Sequence, residues 1–275
     1  MLKNIITVLG TGTSTGVPTL GCRCPVCVST NPKNKRFRTS IYIETTGGKK
    51  ILVDTTPDLR SQLLINQISQ VDATIITHDH ADHVNGIDDL RPFCFLENKS
   101  IPIYTTRPYM DHLTTRFPYI FQADKLYSEE RPHLGGGLPK LNLCEIVPSQ
   151  KSLVVGEEFQ FFTVPHGYGE TVCFIHQKFG YIIDCHEIPD AVINEFKKAK
   201  LDILIIDCLK KAAHKTHLSL TQSEHYLAQI DAKFTGLIHM AHNFDHEQLS
   251  LEMKQKYGEK VSPLFDTEKL EYGTN

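Results

Sequence analysis

The stretch His78-Asp79-His80-Ala81-Asp82-His83 puts four potential metal ligands within six positions, directly after the apolar run Ala73-Thr74-Ile75-Ile76-Thr77. A β-branched run of that length reads as a buried strand, so the motif stands on the loop leaving its end, where functional groups are commonly presented. Alternate residues of an extended segment point the same way. His78 and His80 can therefore share one cation, while Asp82 and His83 enter the next turn and can face a second. The plainer alternative is a polar surface loop rich in histidine. Further ligands downstream weigh against it: His166 follows Phe161-Phe162-Thr163-Val164-Pro165, Asp184 follows Tyr181-Ile182-Ile183, and His239 follows Gly236-Leu237-Ile238.

A second group of donors lies near the start. Cys22-Arg23-Cys24-Pro25-Val26-Cys27 offers three thiolates, too closely spaced to bridge one another and one short of a closed tetrahedral zinc site. The fourth ligand must come from elsewhere. Eight cysteines used in this way point to metal ligation in a reducing compartment rather than to a disulfide framework.

The elements that must carry these groups are short. Residues 5–9 form an expected first strand, followed by Gly10-Thr11-Gly12-Thr13-Ser14-Thr15-Gly16. No Gly-Lys-Ser/Thr follows, and Val17-Pro18 with the cysteines replaces the helix that a phosphate loop needs. The expectation is a tight backbone turn close to the active site. Lys33, Lys35, Arg36 and Arg38 then make a basic stretch, either a solvated loop or an anion-binding edge.

Residues 39–45 and 50–53 read as a hairpin around Thr46-Gly47-Gly48-Lys49. A helix is expected at 57–66, and 86–91 should continue a helix out of the histidine motif. From 92 to 148 the pattern weakens to a strand at 101–105, a helix at 109–116 and a glycine-rich loop at 131–139. Such a segment suits a lid, a substrate-facing loop or a subunit contact. Strands return at 158–164, 171–177, 181–183, 203–206 and 235–238, with helices at 189–200, 221–230 and 245–257. Hairpins and helices in both halves predict an α/β, four-layer αββα sandwich of two mixed sheets, as one domain over 1–275.

The formal net charge of −3 over 275 residues gives no global attraction to nucleic acid or anionic membrane. No run approaches the roughly 20 apolar residues of a bilayer span. The start Met1-Leu2-Lys3-Asn4-Ile5 enters a strand pattern rather than a signal-peptide core, so a cytoplasmic protein is expected.

His78-x-His80-x-Asp82-His83 followed by His166, Asp184 and His239 resembles the metallo-β-lactamase-fold hydrolases. The resemblance implies that His78, His80 and His166 hold one metal, that Asp82, His83 and His239 hold a second, and that Asp184 bridges them. Two divalent ions about 3.5 to 4 Å apart lower the pKa of a shared water and neutralise substrate oxygens. Their charge, less that of two carboxylates and a hydroxide, stays positive and favours an anionic substrate.

The glycine turn ending in Val17-Pro18, the three cysteines and His239-Met240-Ala241-His242 together resemble the PhnP-type phosphodiesterases of phosphonate metabolism. That resemblance implies that His242 completes a structural zinc site, that His217 is the general acid, and that zinc or manganese occupies the active pair. It also implies a homodimer, with 92–148 as a candidate contact. Asp207, ending the run 203–206, could orient the His217 ring.

The expected function is hydrolysis of a small, linear or cyclic, phosphodiester. The alternatives are a tRNA 3'-processing endonuclease, a thioester or lactone hydrolase, and a non-enzymatic metal-binding protein. Nucleic acid is disfavoured by the mild acidity, by the short His166 to Asp184 interval and by the lack of an aromatic-basic stripe. His112, His133, His176, His186, His214, His225 and His246 receive no catalytic role, His186 being the first to test.

Overall fold

Two seven-stranded mixed sheets carry the chain. The first uses β1 (Asn4–Gly10), β2 (Ser40–Glu44), β3 (Lys50–Val53), β4 (Ala73–Ile75), β5 (Ile101–Thr105) and β6 (Leu141–Glu145). The second uses β7 (Lys151–Val154), β8 (Glu157–His166), β9 (Gly169–His176), β10 (Phe179–Ile182), β11 (Ile203–Asp207), β12 (Phe234–Ile238) and β13 (Val261–Pro263). The last strand, β14 (Lys269–Tyr272), returns to the first sheet beside β1. The strand orders are β14-β1-β2-β3-β4-β5-β6 and β13-β12-β11-β10-β9-β8-β7. This computed structural model describes residues 3–135 and 137–273; Met1 and Leu2 of the expected lead-in and Gly136 of the expected loop lie outside them.

The strands are apolar on both faces because both faces are covered. In β2, Ile41 and Ile43 join the core between the sheets while Tyr42 faces the outer layer. In β11, Ile203 and Ile205 point inward and Leu204 and Ile206 outward. The inner core joins Ile6, Ile41 and Ile51 of one sheet to Phe159, Phe174 and Tyr181 of the other. Outside the second sheet pack the helices Asp190–Ala199, Leu220–Ile230 and His246–Tyr257, through residues such as Phe196, Leu227 and Met253. Each such side chain contributes about 1.5–3 kcal/mol by leaving water. The four-layer αββα sandwich expected from the pattern is therefore the observed architecture.

Two details differ from expectation. Strands β6, β7, β13 and β14 are additional to the expected set, and β6 pairs with the expected strand β5 at the edge of the first sheet. The helix expected through 86–91 breaks instead into Ala81–Val84, a 3-10 turn Ile87–Leu90 and Arg91–Leu96. The break is pinned from the side: Thr55 N–H donates to His83 O at 2.7 Å, and Gly86 N–H donates to Thr55 O at 2.9 Å. Loops following β3, β4, β10 and β12 present Asp54, His78, Asp184 and His239. Three of these, Asp54, Asp184 and His239, have φ of 65°, 48° and 63°, a left-handed backbone uncommon for residues other than glycine.

A Cβ at Gly86 would stand 2.0 Å from Thr56 O. Gly86→Ala is therefore expected to cost about 1–3 kcal/mol of stability, read as a lower urea midpoint. An unchanged midpoint would mean that the motif is not held by this contact.

Candidate metal centre

Seven donors presented by the two sheets converge on one point. His78, His80 and His166 offer nitrogens within 4.8 Å of one another, and so do the ligand atoms of His78, His83 and Asp184, and those of Asp82, Asp184 and His239. His166 Nε2 and His80 Nδ1 face each other at 3.2 Å. Asp184 lies between the two groups: Oδ2 is 3.3 Å from His83 Nε2 and 3.7 Å from His78 Nε2, and Oδ1 is 3.1 Å from His239 Nδ1. The sequence-derived set is thus brought together in full, with Asp184 in the bridging position.

The partners behind each ring decide which nitrogen is free. The Thr216 carbonyl can only accept, so His166 Nδ1 donates to it at 2.9 Å and Nε2 keeps its lone pair. Asp54 accepts from His83 Nδ1 at 2.8 Å, with the same result. Thr77 Oγ1 donates its one proton to Asp54, at 2.9 Å from Oδ2, and so accepts from His78 Nδ1 at 3.1 Å. Thr39 Oγ1 likewise donates to Gly12 O at 2.9 Å and accepts from His239 Nδ1 at 3.1 Å. Four Nε2 lone pairs are thereby exposed toward the centre, which is how second-sphere groups prepare imidazoles for metal. His78 Nε2, His239 Nε2 and Asp184 Oδ1 are buried without a hydrogen-bond partner among the described residues. These orphaned atoms fit a pair of divalent ions.

The electrostatics agree. Burial alone would raise the Asp184 carboxyl, but the imidazoles of His239 and His83 outweigh it and hold Asp184 well below the usual carboxylate range. Burial lowers His83, yet Asp82, Asp184 and Asp54 push its pKa well above that of free histidine. The carboxylates therefore draw positive charge inward, and a metal ion supplies it while displacing the proton.

Asp54 was not singled out in the sequence, although it follows its strand as the ligands follow theirs. It is fully buried, and also accepts from Thr77 N–H at 2.8 Å. Thr39, Thr77 and Thr216, likewise unremarked, carry no local signature of the rings they orient.

His217 lies against this centre, its ring 4.8 Å from that of His239 and 4.9 Å from that of His166. Asp207 Oδ2 lies 3.2 Å from His217 Nδ1, and the same oxygen also accepts from the Cys185 and Leu218 N–H groups. Burial would lower His217, but the Asp207 carboxylate prevails and raises it to about 9. The loop is anchored by the helix Leu220–Ile230, whose N-terminus is closed by a Ser219–Gln222 capping box.

The cysteines form a second centre with the expected histidine. His242 Nδ1 is 3.2, 3.5 and 3.4 Å from the sulfurs of Cys22, Cys24 and Cys27. A tetrahedron with Zn–S near 2.3 Å and Zn–N near 2.1 Å has edges of about 3.6 Å between nitrogen and sulfur, so these four donors are placed for one ion.

The basic stretch is tied into the chain, with Arg36 buried, Lys33 and Arg38 half-buried and Lys35 exposed. Arg36 is buried, donating to Phe244 O at 2.8 Å and Ala241 O at 3.3 Å; Lys35 reaches Cys27 O, Lys33 lies over the Phe265 ring, and Arg38 pairs with Asp58. Lys35 thus braces the cysteine loop and Arg36 the segment from Ala241 to Phe244. The glycine turn lies where expected, with Ser14 on the wall of the active-site cavity. His186 does not line that cavity. The cavity, about 520 Å³, is lined by the histidine motif, Tyr109, His112, Tyr168 and His217, and by no lysine or arginine among the described residues.

A model of the family described as "Beta-lactamase superfamily domain" matches residues 49–240. The octanoyltransferase of Porphyromonas gingivalis is 34% identical over 246 residues, covering 89% of this chain and 47% of that protein. Coenzyme PQQ synthesis protein B of Methylobacterium radiotolerans is 26% identical over 138 residues, 46% of this chain and 44% of that one. The chain thus spans about half the length of these curated relatives or less. Among solved structures, a diphosphatase from the PhnP family superposes with a TM-score of 0.85 at 33% identity, covering 98% of both chains. Zinc-bound PqqB from Methylobacterium extorquens superposes at 0.79 with 19% identity over 98% of this chain and 100% of that one, a likeness of fold.

Metal counting checks both centres. His80→Ala should lose metal from the imidazole cluster and keep that of the thiolates, and Cys24→Ser should do the reverse, by elemental analysis of dialysed protein. Asp54→Ala, which frees the His83 ring, should weaken metal affinity about 10–100-fold. Affinity equal to wild type would deny Asp54 its orienting role.

Proposed function

The chain belongs to the β-lactamase superfamily and, within it, to the PhnP family, and from that premise we propose that it is a metal-dependent phosphodiesterase acting on a small anionic ester. The observation that carries this reading is the Asp207-held His217 beside the seven-donor centre. A departing alkoxide needs a proton, and His217 Nε2 is left to give one because Nδ1 is engaged by Asp207.

His78, His80 and His166 would hold one divalent ion and Asp82, His83 and His239 the other, with Asp184 shared. When bound, such ions lower the pKa of water and neutralise phosphate oxygens. Zinc and manganese both suit the nitrogen and oxygen donors of the pair, while three thiolates select zinc at Cys22, Cys24, Cys27 and His242. The described cavity wall carries no lysine or arginine, so beyond the metal ligands the protein offers a phosphate His217, His112 and the hydroxyl groups of Ser14 and Tyr168. That favours a singly charged diester over a diphosphate.

An RNA substrate is disfavoured by the hairpin at the site: His166 pairs directly with Gly169, leaving only Gly167 and Tyr168 at the turn and no arm to grip a helix. A second reading, hydrolysis of an acyl ester or thioester, is favoured by the match to an octanoyltransferase, although that match takes in 47% of the relative. No helix among the described residues is long and apolar enough to cross a membrane.

A screen of the metal-loaded protein against bis(p-nitrophenyl) phosphate, cyclic phosphates, precursor tRNA and octanoyl thioesters tests the assignment. The diesters should turn over fastest; a thioester leading the screen would reverse the order of the two readings. His217→Ala should slow alkyl leaving groups at least about 100-fold while sparing p-nitrophenolate, which leaves unaided. The His217 proton is held below its raised pKa and lost above it, so kcat for alkyl esters should fall as pH climbs toward about 9. Bound dications repel the same proton and move that limb lower.

A further inference from the structure

The active-site cavity continues past Tyr109, His112 and Gly169 into a second hollow of about 370 Å³. Its apolar wall comes from Pro108 at the start of the helix Arg107–Arg116 and from Ile146, Val147 and Pro148 just beyond β6. Tyr109 adds to that wall: its hydroxyl donates to the Glu170 carbonyl, so the ring presents its apolar body to the hollow. Val147 is 42% exposed there with nothing packed over it.

Two carboxylates and one guanidinium stand at the rim. Glu145 and Glu170 are exposed on it, and its one guanidinium, Arg107, lies 3.6 Å from Asp111. His112 Nδ1 faces Asp79 at 2.9 Å. A second phosphate or carboxylate entering here would meet Glu145 and Glu170, with Arg107 shared with Asp111, whereas an uncharged group would cover Val147, Pro148 and Tyr109. The hollow opens beside Asp79 and therefore on the His80 flank, while His217 stacks on His239 at the other; the His166 ring lies between, 4.9 Å from each of His80 and His217. The arm protonated by His217 leaves on one side, and the arm retained by phosphorus extends on the other.

We propose that this hollow is a subsite for the retained ester arm, and that it selects an uncharged, apolar arm of the size of an aryl ring or a medium-length alkyl chain. The identity of the bound ester as a phosphodiester rests on the function proposed above. The subsite itself rests on the residues around Val147.

The test uses p-nitrophenyl phosphodiesters that share one leaving group and differ in the arm retained: methyl, phenyl, hexyl and carboxyethyl. With metal-loaded wild type, kcat/KM for the phenyl and hexyl esters should exceed that for methyl by about tenfold or more, and the carboxyethyl ester should fall below methyl. Val147→Trp, which fills the hollow, should bring the phenyl-to-methyl ratio close to unity. Its tryptophan, in a chain that otherwise has none, reports by its emission that the variant is folded. Val147→Lys should raise the carboxyethyl ester relative to methyl. Ratios that stay the same in both variants overturn the subsite. Calorimetric binding of diphenyl against dimethyl phosphate separates the two claims. A preference for diphenyl phosphate that Val147→Trp removes, with no diester hydrolysed, keeps the subsite and sinks the phosphodiesterase reading. Hydrolysis of every diester with no preference among arms sinks the subsite alone.

Discussion

One solvent-free carboxylate, Asp54, sets the donor geometry of the metal centre. Two oxygens accept from the Thr77 amide, the Thr77 hydroxyl and His83 Nδ1. Because the threonine proton is committed to Asp54, Thr77 must accept from His78, and one residue thereby fixes the tautomers of two rings. Burying an unpaired carboxylate would cost several kcal/mol, and a full complement of donors offsets that cost. The same contacts join the end of β3 to the end of β4, so the chemistry of the rings and the register of the strands have one origin.

The two donor clusters share a framework. Thr13 N–H donates to Met240 O at 3.2 Å and Met240 N–H to Thr11 O at 2.8 Å, pairing the glycine turn with the segment between His239 and His242. Arg36 holds the carbonyls of Ala241 and Phe244 from below. A Cβ at Gly12 would lie 2.9 Å from the Arg36 and Phe37 carbonyls, which is why that close approach takes glycine. An ion among the cysteines and His242 therefore tightens the loop that sets the His239 ring over His217.

Much of this was legible in the chain. The motif from His78 to His83 and the strand-end positions of His166, Asp184 and His239 have a period and a punctuation that sequence displays, and the buried strands of the second sheet read as unbroken apolar runs. Asp54 escaped notice because an aspartate after a strand has the same local signature whether it starts a turn or anchors a ring. β6 and β14, as Leu-Asn-Leu-Cys-Glu and Lys-Leu-Glu-Tyr, are edge strands with one polar face and too few residues to show an alternation. Arg36 looks like part of any solvated basic loop, since its partners are backbone carbonyls some 200 positions away in the chain. Hydrogen bonds to carbonyls leave no compositional trace.

The pairing of β14 with β1, Asn4 opposite Tyr272, bears on how the molecule comes to exist. The two strands lie more than 250 positions apart, so one edge of β1 stays unsatisfied until that intervening chain has formed, and non-local pairings of this kind close slowly. His239 meets Thr39 across 200 positions, so the donor cluster too is closed by contacts remote in the chain. The donor set is consequently a product of the completed sandwich, since its members stand on strands of both sheets.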